Sequence, residues 1–255
     1  LGLIGGSLLR DLTTSGHAAF GYNRSPSAAR AARAEGFDVT DSLEDALRRA
    51  EEEFALIVLA TPMPAIDALL HDIKEYAPSC GFTDVVSVKR KVYELVKQHG
   101  LEDRYVGGHP MAGTADSGWR ASKNGLFDGA AWVVTFDHAL DTRPSQSWID
   151  LWIDVVHMAT RVGAEVIPAR VDHHDAAVAR ISHLPHILAE ALAIVGDNGG
   201  TLALSLAAGS FRDGTRVAGS APSLVRAMCE TNHAALLDAL DETLTLLQDA
   251  RANLD

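Results

Sequence analysis

The sequence predicts an α/β N-terminal domain of the Rossmann type, with a doubly wound and mostly parallel sheet, followed by an all-α C-terminal domain. Up to about residue 167, short apolar segments alternate with helical segments, which is typical of βαβ units. Beyond residue 168 the strand pattern stops, and apolar residues recur with the period of a helix. We therefore expect the first domain to cover residues 1–167 and the second to cover residues 168–255.

Local signals predict the elements in chain order. A continuous apolar run over residues 54–60 predicts a strand covered on both faces, and Ser42 followed by Asp45 predicts the start of a helix. The predicted strands cover residues 18–22, 37–39, 54–60, 85–86, 105–106, 132–136 and 165–167. Helices are predicted over residues 8–12, 27–35, 89–99, 145–162, 174–195, 201–208, 222–232 and 234–252. Two more are predicted with one end each, a helix that begins at residue 42 and a helix that ends at about residue 76.

The composition is that of an ordinary globular protein, with 47% hydrophobic and 22% charged residues among 255. The formal net charge of −12 argues against a nucleic-acid partner, although local arginines can still bind an anionic small molecule. Cys80 and Cys229 are far apart and form no motif, which favours a reducing, cytoplasmic compartment. Since no apolar run reaches the ~18 residues of a membrane span and no signal peptide is recognised, we expect no membrane association.

The chain opens on a glycine-rich turn, Leu1-Gly2-Leu3-Ile4-Gly5-Gly6-Ser7. It fits the end of a G-x-G-x-x-G motif whose strand and first glycine we expect upstream of Leu1. In such a motif Gly2 lets the backbone approach a pyrophosphate, and Gly5 lets the helix pack against the strand. A tight turn in another α/β fold is the alternative. The predicted cofactor-binding residues are Gly2, Leu3, Ile4, Gly5, Asn23, Arg24, Ser25, Ala60, Thr61, Pro62 and Ser87.

The strand over residues 18–22 ends in Asn23-Arg24-Ser25. An NAD site expects a carboxylate about 20 residues after the glycine turn, on the ribose 2′-hydroxyl. An arginine with a hydroxyl and an amide suits a 2′-phosphate instead. NADP is therefore the predicted cofactor, NAD is the second choice, and a solvated Arg24 at the helix entry is the alternative interpretation.

Ser87 and His109 follow two successive predicted strands, in the strings Asp84-Val85-Val86-Ser87-Val88-Lys89 and His109-Pro110-Met111-Ala112-Gly113-Thr114. The carboxyl ends of parallel strands share one crevice, so we expect both side chains in the same site. A neutral imidazole takes a proton near neutral pH, because its unperturbed pKa is about 6.5. We interpret His109 as a general base facing a nicotinamide ring. The alternative interpretations are that Ser87 caps the following helix and that His109 is a loop histidine.

Two further clusters lie in the second domain. In Ser182-His183-Leu184-Pro185-His186 the histidines share a helix face, which favours substrate contact, with a buried structural role as the alternative. No metal site is predicted, because Pro185 distorts the helix and no cysteine completes a ligand set.

Residues 209–216 form the second cluster, a predicted link between helices that is interrupted by glycines. There a guanidinium would suit a substrate carboxylate, and we expect Arg216 to point inward and Arg212 to lie on the surface.

Together these strings, in this order over nearly the whole chain, resemble the prephenate/arogenate dehydrogenase family of tyrosine biosynthesis. The resemblance implies NAD(P)-dependent oxidative decarboxylation of a cyclohexadienol. It implies that His109 accepts the hydroxyl proton and that Ser87 hydrogen-bonds the same hydroxyl. Substrate contacts are expected from Arg216, His186, Thr114, His183 and Ser182. A helical domain that forms a homodimer is also implied. Prephenate and arogenate are not distinguished, although a preference for NADP slightly favours arogenate.

Two other functions remain as alternatives. A β-hydroxyacid dehydrogenase or imine reductase could share this two-domain plan, but the hydroxyacid enzymes are expected to use a lysine on a second-domain helix. Residues 168–255 contain no lysine. A non-catalytic NADPH-binding dimer would leave His109 and Arg216 without a shared ligand.

Overall fold

A computed structural model describes residues 1–114 and 116–254. The chain divides into two compact units, Leu1–Val171 and Asp172–Asp255. In its described residues the first unit combines strands and helices, whereas the second contains helices and turns without a strand. The predicted fold class, an α/β domain followed by a helical domain, is confirmed.

The described residues of the N-terminal unit form the following elements. The strands are β1 (Gly21–Tyr22), β2 (Val39–Thr40), β3 (Ile57–Leu59), β4 (Phe82–Asp84), β5 (Tyr105–Val106), β6 (Gly108–Pro110), β7 (Ala131–Thr135) and β8 (Glu165–Ala169). The helices are α1 (Leu3–Thr14), α2 (Pro26–Ala34), α3 (Leu43–Glu53), α4 (Ile66–Tyr76), α5 (Arg90–His99), α6 (Asp137–Asp141) and α7 (Gln146–Arg161).

The strands pair mostly in parallel. β1 pairs with β2, and β4 lies between β3 and β5, all in parallel. In a third sheet β7 pairs in parallel with β8 but antiparallel with β6. Ile66, Leu70 and Ile73 of α4 and Val92 of α5 are fully buried in the cluster that contains Phe82 of β4. This core fixes the strands whose ends carry the candidate site.

Near the site, one predicted strand is wrong in position, and the predicted place of His109 at the end of a parallel strand is also wrong. The strand predicted at residues 85–86 lies earlier, as β4, because Asp84 Oδ1 accepts the Val86 N–H at 2.7 Å and turns the backbone. The strand predicted at residues 105–106 is confirmed as β5, which is parallel to β4, but His109 lies beyond its end. The chain leaves the β3–β4–β5 sheet after Val106, and β6 places His109 opposite Val133 in an antiparallel pair.

The segment after His109 is fixed to α1 at its far end. The guanidinium of Arg10 lies 4.2 Å from the ring centroid of Trp119, which is itself buried. The Lys123 N–H donates to Ser7 Oγ at 3.0 Å. The segment after His109 is therefore attached to the helix that begins at the glycine turn.

In the described residues of the helical unit, a continuous helix, Val171–Asn198, comes first. It consists of α8 (Val171–Val178), a π-helical turn (Ala179–His183) and α9 (Leu184–Asn198). The other helices are α10 (Gly200–Ser205), α11 (Gly209–Thr215), α12 (Pro222–Thr231) and α13 (His233–Ala252). The wide turn is the distortion predicted for Pro185, whose ring removes a backbone donor and clashes with the preceding turn.

By length and composition alone, Val171–Asn198 is the one helix in the described part of the chain that could cross a membrane. Helices that pack against other helices have the same length and composition, so this observation is weak.

The prediction of a link between helices at residues 209–216 is wrong, because α11 and a 3₁₀ turn, Arg216–Gly219, occupy these residues. Packing of Phe211 on α9 outweighs the low helix propensity of its glycines.

Candidate active site

The glycine turn forms the start of α1. Gly2 is the N-cap residue, offers no capping side chain, and accepts the Gly6 N–H at 2.8 Å. The first N–H groups of a helix have no partner within the helix, so they can bind an anion such as a pyrophosphate. A Cβ atom on Gly2 would meet nothing within 4 Å. Backbone donors beside open space are what a dinucleotide phosphate requires.

Two of the predicted cofactor residues from outside the turn, Asn23 and Ala60, lie against it. A Cβ atom on Gly5 would lie 2.7 Å from Ala60 Cβ, and Asn23 Nδ2 donates to the Leu1 carbonyl at 2.6 Å. The turn therefore lies between the ends of β1 and β3. Thr61 Oγ1 is buried there without a hydrogen-bond partner in the described residues. These residues fit a dinucleotide, which would supply a partner for that hydroxyl.

The Asn23-Arg24-Ser25 segment differs from its predicted role in one respect. The Asn23 amide is occupied, because it donates to Leu1 and its Oδ1 accepts the Ser25 N–H at 3.0 Å. Ser25 Oγ caps α2 by accepting the Ala28 N–H at 3.4 Å. Arg24 is exposed and forms no ion pair with any described residue. Asn23 therefore positions the glycine turn, and Arg24 is the side chain that could meet a 2′-phosphate.

Ser87 and His109 are both half-buried and lie on segments that one side chain links. Lys89, two residues after Ser87, donates from Nζ to the Gly108 carbonyl at 2.6 Å, next to His109. Lys89 also forms an ion pair with Asp84, the residue that turns the chain towards Ser87. Lys89 thus links the two segments directly, whereas the entry of both side chains into one site stays a prediction.

Sequence reasoning assigned no role to the buried group formed by Asp84, Lys89 and Tyr105. Asp84 and Lys89 are 0% and 1% exposed, and Tyr105 Oη donates to Asp84 Oδ2 at 2.5 Å. The available signal was an acid and a base five positions apart on either side of an apolar run that contains Ser87. Charged residues are almost never fully buried unless they are paired.

The two histidines of the helical unit have different surroundings. His186 Nδ1 donates to the Ser182 carbonyl at 2.8 Å, which fixes the tautomer and leaves Nε2 available. His183 is 1% exposed, and Asn232 Nδ2 donates to its Nδ1 at 3.3 Å. Burial lowers the pKa of His183. This environment favours the structural interpretation of His183 over substrate contact.

The remaining predicted substrate residues are accessible. Arg216 starts the 3₁₀ turn that packs against α9, the helix that carries His186. Arg216 and Arg212 are both exposed, so the expected inward and outward distinction between them is not seen. Thr114 is exposed, and its hydroxyl accepts the Asp116 N–H at 3.2 Å. No three His, Cys, Asp or Glu side chains of the described residues come together as metal ligands.

Two family descriptions match the chain in order: "Prephenate dehydrogenase, nucleotide-binding domain" over residues 8–164 and "Prephenate dehydrogenase, dimerization domain" over residues 170–255. The prephenate dehydrogenase of Bacillus subtilis is 32% identical over 260 residues, which cover 98% of this chain and 67% of that protein. A Corynebacterium glutamicum structure with the provisional name prephenate dehydrogenase superposes with a TM-score of 0.98 and 64% identity, covering 100% of this chain and 80% of that one.

A further solved structure is more distant. The prephenate dehydrogenase of A. aeolicus, in complex with hydroxyphenyl propionate and NAD+, superposes with a TM-score of 0.84 and 26% identity. That match covers 99% of this chain and 87% of the other. Because both family descriptions and these relatives agree, this chain belongs to the prephenate dehydrogenase family.

Proposed function

We propose that this chain catalyses the oxidative decarboxylation of prephenate or arogenate with a nicotinamide cofactor as hydride acceptor. The observation that carries the proposal is the setting of His109. This imidazole is half-buried on β6, and Lys89 bonds its strand to the segment that bears Ser87. Its string His109-Pro110-Met111-Ala112-Gly113-Thr114 lies within a chain whose two units match the two domains of the family.

The chemistry assigns a proton to His109. The cofactor, when bound, supplies the hydride acceptor for the hydrogen on the ring carbon that bears the hydroxyl. His109 accepts the proton of that hydroxyl, and Ser87 hydrogen-bonds the same oxygen. The bond to the ring carboxylate then breaks, CO2 leaves, and the electron pair enters the ring, which becomes aromatic. His109 returns its proton to the phenol oxygen, so no net proton is released.

We favour NADP over NAD as the cofactor. The exposed Arg24 lies at the end of β1, where no carboxylate follows the strand, and it precedes the N-terminus of α2. A guanidinium and a helix N-terminus both favour a 2′-phosphate. The NAD+ bound to the A. aeolicus relative supports a nicotinamide cofactor in general and leaves this preference to experiment.

Arg216 and His186 are proposed to hold the carboxylate or side chain of the substrate, with Thr114 and Ser182 alongside. Arg216 offers a fork of donors suited to a carboxylate. His186 presents Nε2, since its Nδ1 is held by Ser182. His183 is not retained as a substrate contact, because it is buried against Asn232.

We also propose that the chain is a homodimer through its helical unit. The matched family description names a dimerization domain. Large apolar side chains remain exposed along this unit, namely Ile194 and Val195 on α9, Leu202 on α10, and Leu237, Leu246 and Leu247 on α13. Exposed apolar surface of this kind marks an interaction site.

Initial rates with prephenate and arogenate, each with NAD+ and NADP+, test the function directly. We expect formation of reduced cofactor with one or both substrates, together with release of CO2 and a phenolic product. Absence of cofactor reduction in all four combinations, with cofactor binding intact, would instead support the non-catalytic NADPH-binding dimer.

A further inference from the structure

We propose that the buried Asp84–Lys89 ion pair is a positioning element that sets the spacing between the segment carrying Ser87 and the strand carrying His109. This inference rests on the proposed dehydrogenase function. Neither residue is placed in contact with substrate; both act through the backbone next to the two site residues.

The contacts connect both segments to one charged pair. Asp84 Oδ1 accepts the Val86 N–H at 2.7 Å, which fixes the Val85–Val86 peptide unit, one residue ahead of Ser87. Lys89 Nζ pairs with the same carboxylate and donates to the Gly108 carbonyl at 2.6 Å, which fixes the peptide unit just before His109. Tyr105 Oη donates to the other carboxylate oxygen at 2.5 Å and holds its orientation.

The glycines before His109 leave room for this pair. A Cβ atom on Gly108 would lie 2.7 Å from the Asp84 carbonyl oxygen. A Cβ atom on Gly107 would lie 2.8 Å from Tyr105 Oη and 3.4 Å from Lys89 Cδ. The Gly107-Gly108 pair thus allows β6 to approach the buried charges closely.

Stability alone does not account for a pair that is this deeply buried. Removing two charges from water is costly, and well-packed apolar side chains of similar volume often stabilise a protein as well or better. Charged hydrogen bonds, however, have a defined direction and length, which apolar packing lacks. The pair therefore provides a fixed geometry at the two backbone positions beside Ser87 and His109.

The test compares the wild-type protein with Asp84→Asn/Lys89→Met, a double variant that removes both charges together and so leaves no unpaired buried charge. Tyr105→Phe is a milder variant that loses the hydrogen bond to Asp84. Val92→Ala is the matched control, because Val92 is fully buried in the same unit but lies outside this network. For each protein, kcat, KM, the Kd of the cofactor and the melting temperature are measured.

Displacement of a reacting group by about 1 Å can cost ~10²-fold in rate, so we expect kcat of the double variant to fall by about 10- to 100-fold. The cofactor Kd should change much less than kcat, since the glycine turn is not altered and Ser87 is one of several predicted cofactor contacts. Tyr105→Phe should give a smaller loss of kcat. Val92→Ala should lower the melting temperature and leave kcat unchanged.

The same double variant is then made in a His109→Asn background. If the pair acts through His109, its removal should cost much less there, because effects of residues that act as a unit are not additive. An equal fold-loss in both backgrounds would overturn the proposal and indicate a general structural role. Wild-type kcat in the double variant would also overturn it. An inactive wild-type protein would instead remove the proposed function, and this inference with it.

Discussion

Phe211 packs directly over Gly196, since a Cβ atom on Gly196 would lie 2.4 Å from Phe211 Cζ. Helix α11 therefore lies close against α9, with a second close approach between Gly214 and Leu192 Cδ2, at 2.9 Å from a Cβ built on Gly214. The 3₁₀ turn that begins at Arg216 follows α11 directly and also packs on α9. The position of Arg216 relative to His186 is thus set by the absence of side chains at two glycines.

Gly196→Ala should disturb this arrangement. The new methyl group would force Phe211 and α11 away from α9 and move Arg216 with them. We expect KM for the substrate to rise about tenfold or more, equivalent to ~1.4 kcal/mol of binding, with the cofactor Kd unchanged. Gly209→Ala is the control, because a Cβ atom there meets nothing within 4 Å. Steady-state kinetics that show the same KM for both variants would contradict the argument.

His109→Asn should remove the proposed proton acceptor. We expect kcat to fall by about 10²- to 10⁴-fold, as is usual when a general base is lost, while the cofactor Kd changes little. His157→Asn, at an exposed position on α7, serves as the control and should keep wild-type rates. Turnover that survives in His109→Asn would remove the assignment of His109 as the base.

Arg24→Ala should alter cofactor choice. A hydrogen bond to a charged group contributes about 1.5–3 kcal/mol, so kcat/KM for NADP+ should fall by about 10- to 100-fold. The value for NAD+ should stay near that of the wild-type protein, because its 2′-hydroxyl carries no charge. Arg30→Ala, another exposed arginine of the same helix region, is the control. Equal losses with both cofactors would refute the specific role of Arg24.

Periodicity and glycine placement predicted the fold well, because each of these signals is local. The alternation of strands and helices, the Ser42 cap of α3 and the wide turn near Pro185 all follow from a few neighbouring residues. The positions of β4 and β6 were not predicted. β4 ends at Asp84 because of a local bond from the Val86 N–H to the Asp84 side chain, which the apolar pattern alone does not show. His109 lies in an antiparallel strand that pairs with residues more than twenty positions away along the chain.

The candidate site shows the same difference between local patterns, which could be predicted, and contacts between distant segments, which could not. The glycine turn at the start of α1 could be predicted, since Gly2 and Gly5 lie in a recognisable local pattern, and the cofactor contact assigned to Arg24 stays a prediction. The occupation of the Asn23 amide by Leu1 and the burial of His183 against Asn232 could not be predicted. Both depend on contacts between segments distant in sequence, and no local pattern specifies which of several polar groups becomes enclosed by the fold.

The burial of His183 makes the stability of the protein depend on pH. Burial lowers the pKa of His183, and the nearby His186 and His174 add to this effect, while Asp175 opposes it. The folded state therefore resists protonation of His183, whereas the unfolded chain takes up a proton near the ordinary pKa of about 6.5. Above that pH this residue has no effect on the pH dependence, because it is neutral in both states. As pH falls below it, the free energy of unfolding decreases until the lowered folded pKa is reached.

His183→Gln should remove this component of the acid sensitivity. Urea unfolding is measured at about pH 8 and at about pH 5.5, which bracket the ordinary histidine pKa. We expect the free energy of unfolding to fall less between the two pH values in His183→Gln than in the wild-type protein. The variant starts from a lower stability, because it loses the bond from Asn232. His233→Gln, at an exposed position on α13, should behave like the wild-type protein. An unchanged difference between the two pH values in His183→Gln would show that His183 is protonated as readily in the folded state as in the unfolded chain.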